Sequence, residues 1–150
     1  MTSRRDFLHQ TFAGATVALA PISLKAAPIS IVESITNIFG SNKHIEENRV
    51  KLKLPPLTEN GNSVTMSVEV TSPMTSNDFV ESIHIFSEVN PLPNIATFYL
   101  TPATGTARVV TRIRLADSQT LIAVAAMNDG SLWSGSSETI VTLAACLDGT

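Results

Sequence analysis

Short stretches in which apolar and polar residues alternate dominate the chain after residue 48. The apolar positions of the first two stretches, residues 49–54 and 63–70, are Val50, Leu52, Leu54, Val64, Met66, Val68 and Val70. Such a period of two is typical of a β-strand that buries one face. Five more short stretches, rich in β-branched residues, cover residues 79–88, 95–102, 106–115, 120–130 and 138–145. Seven strands with turns between them predict an all-β fold, an antiparallel β-sandwich.

A helical spacing of apolar residues precedes these strands. Its members are Ile29, Val32, Ile35, Ile38 and Phe39. They predict one short N-terminal helix that ends near Gly40. Pro55 and Pro56 end the first strand, because proline cannot donate to a sheet, and the sequences ENGN, NPLPN, PATG, ADSQ, NDG and SGSS predict turns. No helical pattern lies between the strands, so a parallel α/β fold is not expected.

The beginning of the chain has the pattern of an export signal. Arg4 and Arg5 form a pair, followed by an apolar stretch and the small-residue sequence KAAP. The apolar stretch is shorter than the roughly 20 residues that span a membrane. We therefore predict a twin-arginine signal peptide in residues 1–27, cleaved near Ala26 or Ala27, and a periplasmic mature protein.

The remaining chain has the size and composition of one domain. Of 150 residues, 43% are hydrophobic and 15% charged, which is enough apolar material for a core. We predict one sandwich domain in residues 28–143 and a tail in residues 144–150. The signal holds three of the 10 basic and one of the 13 acidic residues, so the mature chain carries 7 basic and 12 acidic residues, a net charge of −5. Partners such as nucleic acid or a membrane surface, which attract basic proteins, are not expected.

Residue patterns that carry enzyme chemistry are absent from the sequence. The histidines, His9, His44 and His84, stand apart, and neither an H-x-x-x-H nor a C-x-x-C spacing occurs. We expect no metal site, no cofactor and no catalytic group. His84 lies in a predicted strand, where an ordinary hydrogen-bonded histidine is the favoured interpretation. Trp133 follows a turn and is expected to pack rather than to bind a ligand.

A row of arginines is the one charged pattern in a strand. Arg108, Arg112 and Arg114 have even numbers, so a strand places them on one face. Such a row can hold an anion or an acidic partner. A solvated outer face of the sandwich is the favoured interpretation.

Cys146 is the single cysteine, four residues from the C-terminus. It follows the last predicted strand, and chain ends tend to be exposed. One cysteine cannot form a disulfide within the chain, and the periplasm is oxidising. Three interpretations stay open from the residues alone: a small buried residue, an intermolecular disulfide and a reactive thiol.

Five segments of the chain carry a family resemblance, namely LPPLTENGN, SPMT, FVESIHIF, NPLPNIATF and RIRLADSQT. They resemble the SoxY family, the sulfur-carrier subunit of the periplasmic thiosulfate-oxidising (Sox) system. The resemblance covers essentially the whole mature chain and fits the twin-arginine signal. It implies an immunoglobulin-like sandwich without catalysis of its own, in a heterodimer with a second sandwich subunit, SoxZ.

The resemblance also implies a role for the tail. In the family, a cysteine in a glycine-rich tail carries sulfur intermediates to a c-type cytochrome, a sulfate-releasing hydrolase and a sulfur dehydrogenase. Cys146 matches that cysteine by position. Covalent sulfur attachment at Cys146 is therefore the expected function.

The tail departs from the family pattern, which has glycines on both sides of the cysteine. Here the neighbours are Ala144, Ala145, Leu147 and Asp148. Alanine permits fewer backbone states than glycine, and the Asp148 charge opposes ionisation of the thiol. A second function therefore stays open, a SoxY-like binding module that no longer carries sulfur. A third is a homodimer linked through Cys146.

Overall fold

Nine β-strands and one helix make up residues 30–144, the part of the chain that the computed structural model describes. The helix is α1 (Ile31–Phe39). The strands are β1 (Ile45–Glu47), β2 (Val50–Lys53), β3 (Leu57–Thr58), β4 (Val64–Val70), β5 (Val80–Ser87), β6 (Asn94–Tyr99), β7 (Arg108–Ile113), β8 (Gln119–Met127) and β9 (Leu132–Val141). A single 3₁₀ turn, Pro102–Thr104, interrupts the connection between β6 and β7.

The strands form two sheets that pack face to face. The larger sheet has the order β1-β9-β8-β5-β6, and β3 pairs with the end of β9. The smaller sheet has the order β2-β4-β7. Between them lies the main core, built from alternate residues of both sheets. The predicted fold class, a β-sandwich preceded by a short helix, is confirmed.

The alternation seen in the sequence corresponds to burial. In β4, Val64, Met66, Val68 and Val70 are buried, while Thr65 and Glu69 between them are exposed. β2 has the same alternation, with its two apolar residues buried and its two lysines exposed. Burying one such side chain stabilises the fold by about 1.5–3 kcal/mol relative to exposure. The period of two therefore fixes which face of the smaller sheet meets the core.

Two short strands that the sequence pattern did not predict pair in parallel with β9. β1 pairs with its first half, Ile45 opposite Leu132, and β3 pairs with its end, Leu57 opposite Ile140. Strands of two or three residues have too few positions to show a period of two. These two strands are recognisable only from their pairing with β9.

The predicted turn at SGSS is wrong, because residues 134–137 lie in the middle of β9. Of the predicted strand 138–145, residues 138–141 are the end of this longer strand, which begins at Leu132, whereas residues 142–144 lie outside any strand and residue 145 lies outside the described residues. Gly135 in the predicted turn has a packing reason. A Cβ added to Gly135 would meet the Val50 carbonyl oxygen and carbon well inside contact distance. Here β2 passes so close to β9 that only glycine fits.

Helix α1 covers the outer face of the larger sheet. Its N-cap is Ser30, whose Oγ accepts a hydrogen bond from the Glu33 N–H at 3.1 Å, and it ends at Gly40, where φ is +91°. Its apolar side packs on a second, smaller core cluster centred on Phe86. The predicted helix is confirmed, with its first turn beginning at Ile31.

His84 lies on the same outer face of the larger sheet and is buried. The Phe39 ring lies edge-on at 4.9 Å between centroids, and Thr97 Oγ1 is 3.2 Å from His84 Nδ1. Burial lowers the pKa of His84 below its ordinary value of 6.5, because the charged ring loses its hydration. The interpretation as an ordinary hydrogen-bonded histidine agrees with this geometry.

Replacing Gly135 with alanine should destabilise the sandwich by about 1–3 kcal/mol, because the methyl group forces β2 away from β9. Urea unfolding of the mature protein measures this change. Ser136→Ala is the control, since Ser136 is the exposed neighbour on the same strand. Equal stabilities for the two variants would contradict the close packing.

Lowering the pH from 7 to 5 should reduce the free energy of unfolding through His84. The unfolded chain takes up a proton near pH 6.5 and the folded chain only at lower pH, so protonation favours unfolding in this window. The variant His84→Gln cannot titrate and should show a smaller loss across the same range. An unchanged slope in His84→Gln would exclude this coupling.

Candidate functional site

The end of β9 leads directly into the segment that holds the cysteine. Val141 is buried, and the following residues, Thr142, Leu143 and Ala144, are exposed. Cys146 itself lies outside the described residues, as do Arg4 and Arg5. The structure therefore describes the base from which the tail extends, which we call the tail root, residues 140–144.

Backbone hydrogen bonds hold the tail root on one side. The Ile140 N–H donates to the Pro56 carbonyl and the Thr142 N–H to the Thr58 carbonyl, both at 3.0 Å. One residue further, the Leu143 carbonyl accepts from the Gly61 N–H at 2.8 Å. These bonds continue the parallel pairing of β3 with β9 to Leu143.

A second set of contacts holds the tail root from the β7–β8 connection. The Val141 N–H donates to Ser118 Oγ at 2.9 Å. Gly61 also links to this connection, since its carbonyl accepts from the Leu115 N–H at 2.8 Å. Leu115 is fully buried. The tail root is thus joined to the core through two short hydrogen bonds and a buried leucine.

The anchoring sets a limit on where the thiol can go. Cys146 is three residues beyond Leu143, the last residue with a backbone hydrogen bond to the sandwich among those described. A fully extended chain spans at most about 3.6 Å per residue, so the two Cα atoms lie within about 11 Å of each other. The described residues thus anchor the chain as far as Leu143.

A groove opens beside this end of the sandwich, between β6 and β7, which are the edge strands of the two sheets. Its volume is about 550 Å³, and apolar side chains such as Leu92, Ile95 and Phe98 line most of it. Arg112 and Arg114 lie at its rim. Asn90 Nδ2 donates to the Arg114 carbonyl at 2.9 Å and closes one end.

The arginine row lies where the strand pattern placed it. Arg108 and Arg112 are exposed on the outer face of β7, and Arg114 is exposed just after the strand. Trp133 packs against the main core, and the Arg49 guanidinium lies 4.9 Å from the centre of its ring. The tail root, the arginine row and His84 do not form one cluster, since His84 lies under α1 on the opposite outer face.

The residues that anchor the tail root were missed by sequence reasoning. Thr58, Gly61 and Ser118 hold it through backbone atoms or a hydroxyl, and such groups have no sequence signature of their own. For the segment LPPLTENGN, the sequence predicts a strand end and a turn. The available signal is the combination of two prolines and an Asn-Gly pair between two predicted strands.

Metal-ligand clusters and membrane-spanning helices do not occur among residues 30–144. No group of three histidine, cysteine or acidic side chains there lies close enough to hold a metal ion. Within the same range, no helix is both long and apolar enough to cross a bilayer.

Comparison with solved structures finds a sulfur carrier with the same fold. The sulfur carrier protein SoxY from Chlorobium limicola f thiosulfatophilum is 29% identical, with a TM-score of 0.63, over 76% of this chain and 97% of that one. A superoxide reductase (neelaredoxin) from Ignicoccus hospitalis is 19% identical, with a TM-score of 0.54, over 63% and 80%. At that identity the second match shows a common fold alone. A search of curated proteins gives no match.

The family comparison covers most of the sequence. The model of the sulfur oxidation protein SoxY matches residues 35–146, from α1 to the cysteine. This span is well over half of the 150 residues and includes every strand of both sheets. The chain belongs to the SoxY family of sulfur oxidation proteins.

Proposed function

We propose that this protein is a covalent sulfur carrier that holds sulfur intermediates on the thiol of Cys146. The observation that carries the proposal is the anchoring of β9 through Leu143, which leaves the thiol three residues beyond a rigid base. The family match supports it, because its last matched residue is Cys146. A carrier needs this arrangement, since its cargo must enter another protein's active site while the body stays outside.

Loading from thiosulfate joins the Cys146 sulfur to the outer sulfur of thiosulfate. The thiol loses its proton, and the new sulfur–sulfur bond requires the removal of two electrons, which pass to a c-type cytochrome. Attack of water on the sulfonate sulfur then breaks its bond to the outer sulfur, releases sulfate and two protons, and leaves the persulfide anion on the cysteine. The carrier supplies only the thiol, and its partners supply the electron acceptor and the hydrolytic site.

The thiol depends on those partners for activation. An ordinary cysteine has a pKa of about 8.5, so roughly 3% is thiolate at pH 7. Asp148 adds a negative charge two residues away, which disfavours the thiolate and repels anionic sulfur compounds. A positively charged active site that receives the tail offsets both effects. This dependence is consistent with a protein that has no catalytic activity of its own.

The proposed setting is the periplasm. Residues 1–27 act as the twin-arginine signal with Arg4 and Arg5, residues 28–143 form the sandwich, and residues 144–150 form the arm. The partners are a SoxZ-like subunit in a heterodimer, and the c-type cytochrome, sulfate-releasing hydrolase and sulfur dehydrogenase of the Sox system. No cofactor is required by the carrier.

Loading can be measured by mass spectrometry of the mature protein after incubation with thiosulfate and the cytochrome of the same Sox system. We expect an added mass that reducing agent removes. Cys146→Ser should give no adduct, and omission of the cytochrome should give none either, because the two electrons then have no acceptor.

The result also separates the carrier from its alternative. An adduct that persists in Cys146→Ser, or no adduct on the wild type, would overturn the proposal. Unchanged sulfur-dependent growth of cells carrying Cys146→Ser would favour the non-carrier binding module, which the replacement of the tail glycines leaves as the second candidate.

Shortening the arm should also prevent loading. Deletion of Ala144 and Ala145 leaves the thiol one residue beyond Leu143 and reduces its reach by about 7 Å. We expect cytochrome-dependent loading to fall at least tenfold, while a small disulfide reagent still reacts with the thiol. The double variant Ala144→Gly/Ala145→Gly keeps the length and should load at least as fast as the wild type. Normal loading of the shortened arm would show that reach is not limiting.

A further inference from the structure

The outer face of the smaller sheet concentrates the positive charge of this acidic protein. We call it the basic face and define it by the exposed basic residues Lys51, Lys53, Arg108 and Arg112 together with Glu69 and Val110. The strand register brings them into rows. Lys51 and Arg108 flank Glu69 on either side, and Lys53 lies in the next row with Val110.

Charge is distributed very unevenly between this face and the rest of the molecule. Residues 30–144 contain seven basic and eleven acidic residues. The basic face holds four of the basic and one of the acidic residues, a net charge of +3. The remaining surface holds three basic and ten acidic residues, a net charge of −7. Such an asymmetry orients the protein in the field of a charged partner.

The four cations are available for a partner. Arg49–Asp78 is the one ion pair within 4.0 Å among the described residues, so none of the four is neutralised by a direct contact with the part of the chain that the structure describes. Directly opposed side chains on neighbouring strands have Cβ atoms about 4.5–5.5 Å apart. The single carboxylate, Glu69, therefore offsets only part of the charge around it.

Size and composition favour a transient contact. Three strands and six residues of length give a face of roughly 14 by 20 Å. Val110, 58% exposed, is its only large exposed apolar residue. Permanent interfaces bury large apolar areas and are depleted in charge, whereas transient encounters are small and electrostatically complementary. The basic face is small and charged, as a transient interface is.

The basic face ends at the tail root. Arg112 lies three residues before Leu115, which donates to the Gly61 carbonyl, and Gly61 in turn donates to the Leu143 carbonyl. Lys53 lies at the end of β2, four residues before β3 begins. A protein that docks on this face therefore meets the base of the arm.

We propose that the basic face is the docking surface for acidic protein surfaces that border the active-site entrances of the enzymes acting on the arm. This inference rests on the proposed carrier function and adds how the arm is delivered. The rest of the molecule is acidic, as the partner surface is, and is therefore repelled by it. This repulsion favours the orientation in which the basic face, and with it Cys146, meets the partner. A nucleic acid or an anionic membrane is the less suitable occupant, because the surrounding net charge of −7 repels an extended polyanion.

The test measures association of the mature protein with the c-type cytochrome and with the hydrolase of the same Sox system, by stopped-flow binding over a range of salt concentrations. All variants carry Cys146→Ser, so that binding is measured without covalent loading. In 20 mM salt, Lys53→Glu/Arg112→Glu should lower the association rate about tenfold for at least one of the two proteins. The difference should disappear in 0.5 M salt, where charges are screened beyond about 4 Å.

Lys43→Glu is the matched control. Lys43 is exposed near Gly130, at the opposite end of β9 from the tail root. Its reversal changes the net charge in the same direction and should lower the rate less than twofold. Equal effects of Lys53→Glu and Lys43→Glu, tested as single variants, would show that net charge alone matters and would overturn the proposal.

Two further outcomes are decisive. Binding to vesicles with 30% anionic lipid, together with no charge-dependent binding to either protein, would assign the face to a membrane and overturn the proposal. A charge-dependent association would support the docking surface even if the wild-type protein gains no sulfur adduct. Loss of the carrier function and loss of the docking surface are therefore separate results.

Discussion

The pairing of β9 with three other strands is the constraint on which the rest of the structure depends. β8 lies along one side of β9, and the short strands β1 and β3 divide the other side between them. On its inner face, Gly135 lets β2 pass in backbone contact, which brings the two sheets together at this point. β3 and the β7–β8 connection hold the end of β9, from which the proposed arm extends.

This arrangement fixes the end of the described chain on the sandwich. Backbone hydrogen bonds with the Pro56 and Thr58 carbonyls and with the Gly61 N–H hold it as far as Leu143, so the proposed arm would begin at a defined point. A carrier gains from such a base, because less conformational freedom is lost when the arm enters another protein. The glycine-rich tails of the family obtain freedom from backbone conformation. In this chain the alanines restrict that freedom, so the position of the base matters more.

Charge is also distributed unevenly over the molecule, between the basic face and the remaining surface. The core and the outer helix determine stability, whereas the distribution of lysines and arginines determines which side of the molecule meets an acidic surface. His84 lies under α1, where burial lowers its pKa and its ring packs against Phe39. The proposed docking face and the face covered by α1 are therefore opposite outer faces of the sandwich. This separation allows the docking face to change its charge without weakening the core.

The sequence by itself determined the all-β class, the short helix, the faces of β2 and β4 that are buried, and the single thiol as the one candidate group for chemistry. Each follows from a local property, since periodicity and residue type do not depend on distant contacts. Tertiary structure alone decided that the serines and glycine of residues 134–137 belong to a strand, in which the close approach of Val50 leaves room only for glycine at position 135. It also decided that LPPLTENGN anchors the tail root, and that Lys51 and Lys53 join the arginines of β7 across β4. Those results depend on which strands are neighbours, and strand order arises from long-range packing that no short stretch of the sequence encodes.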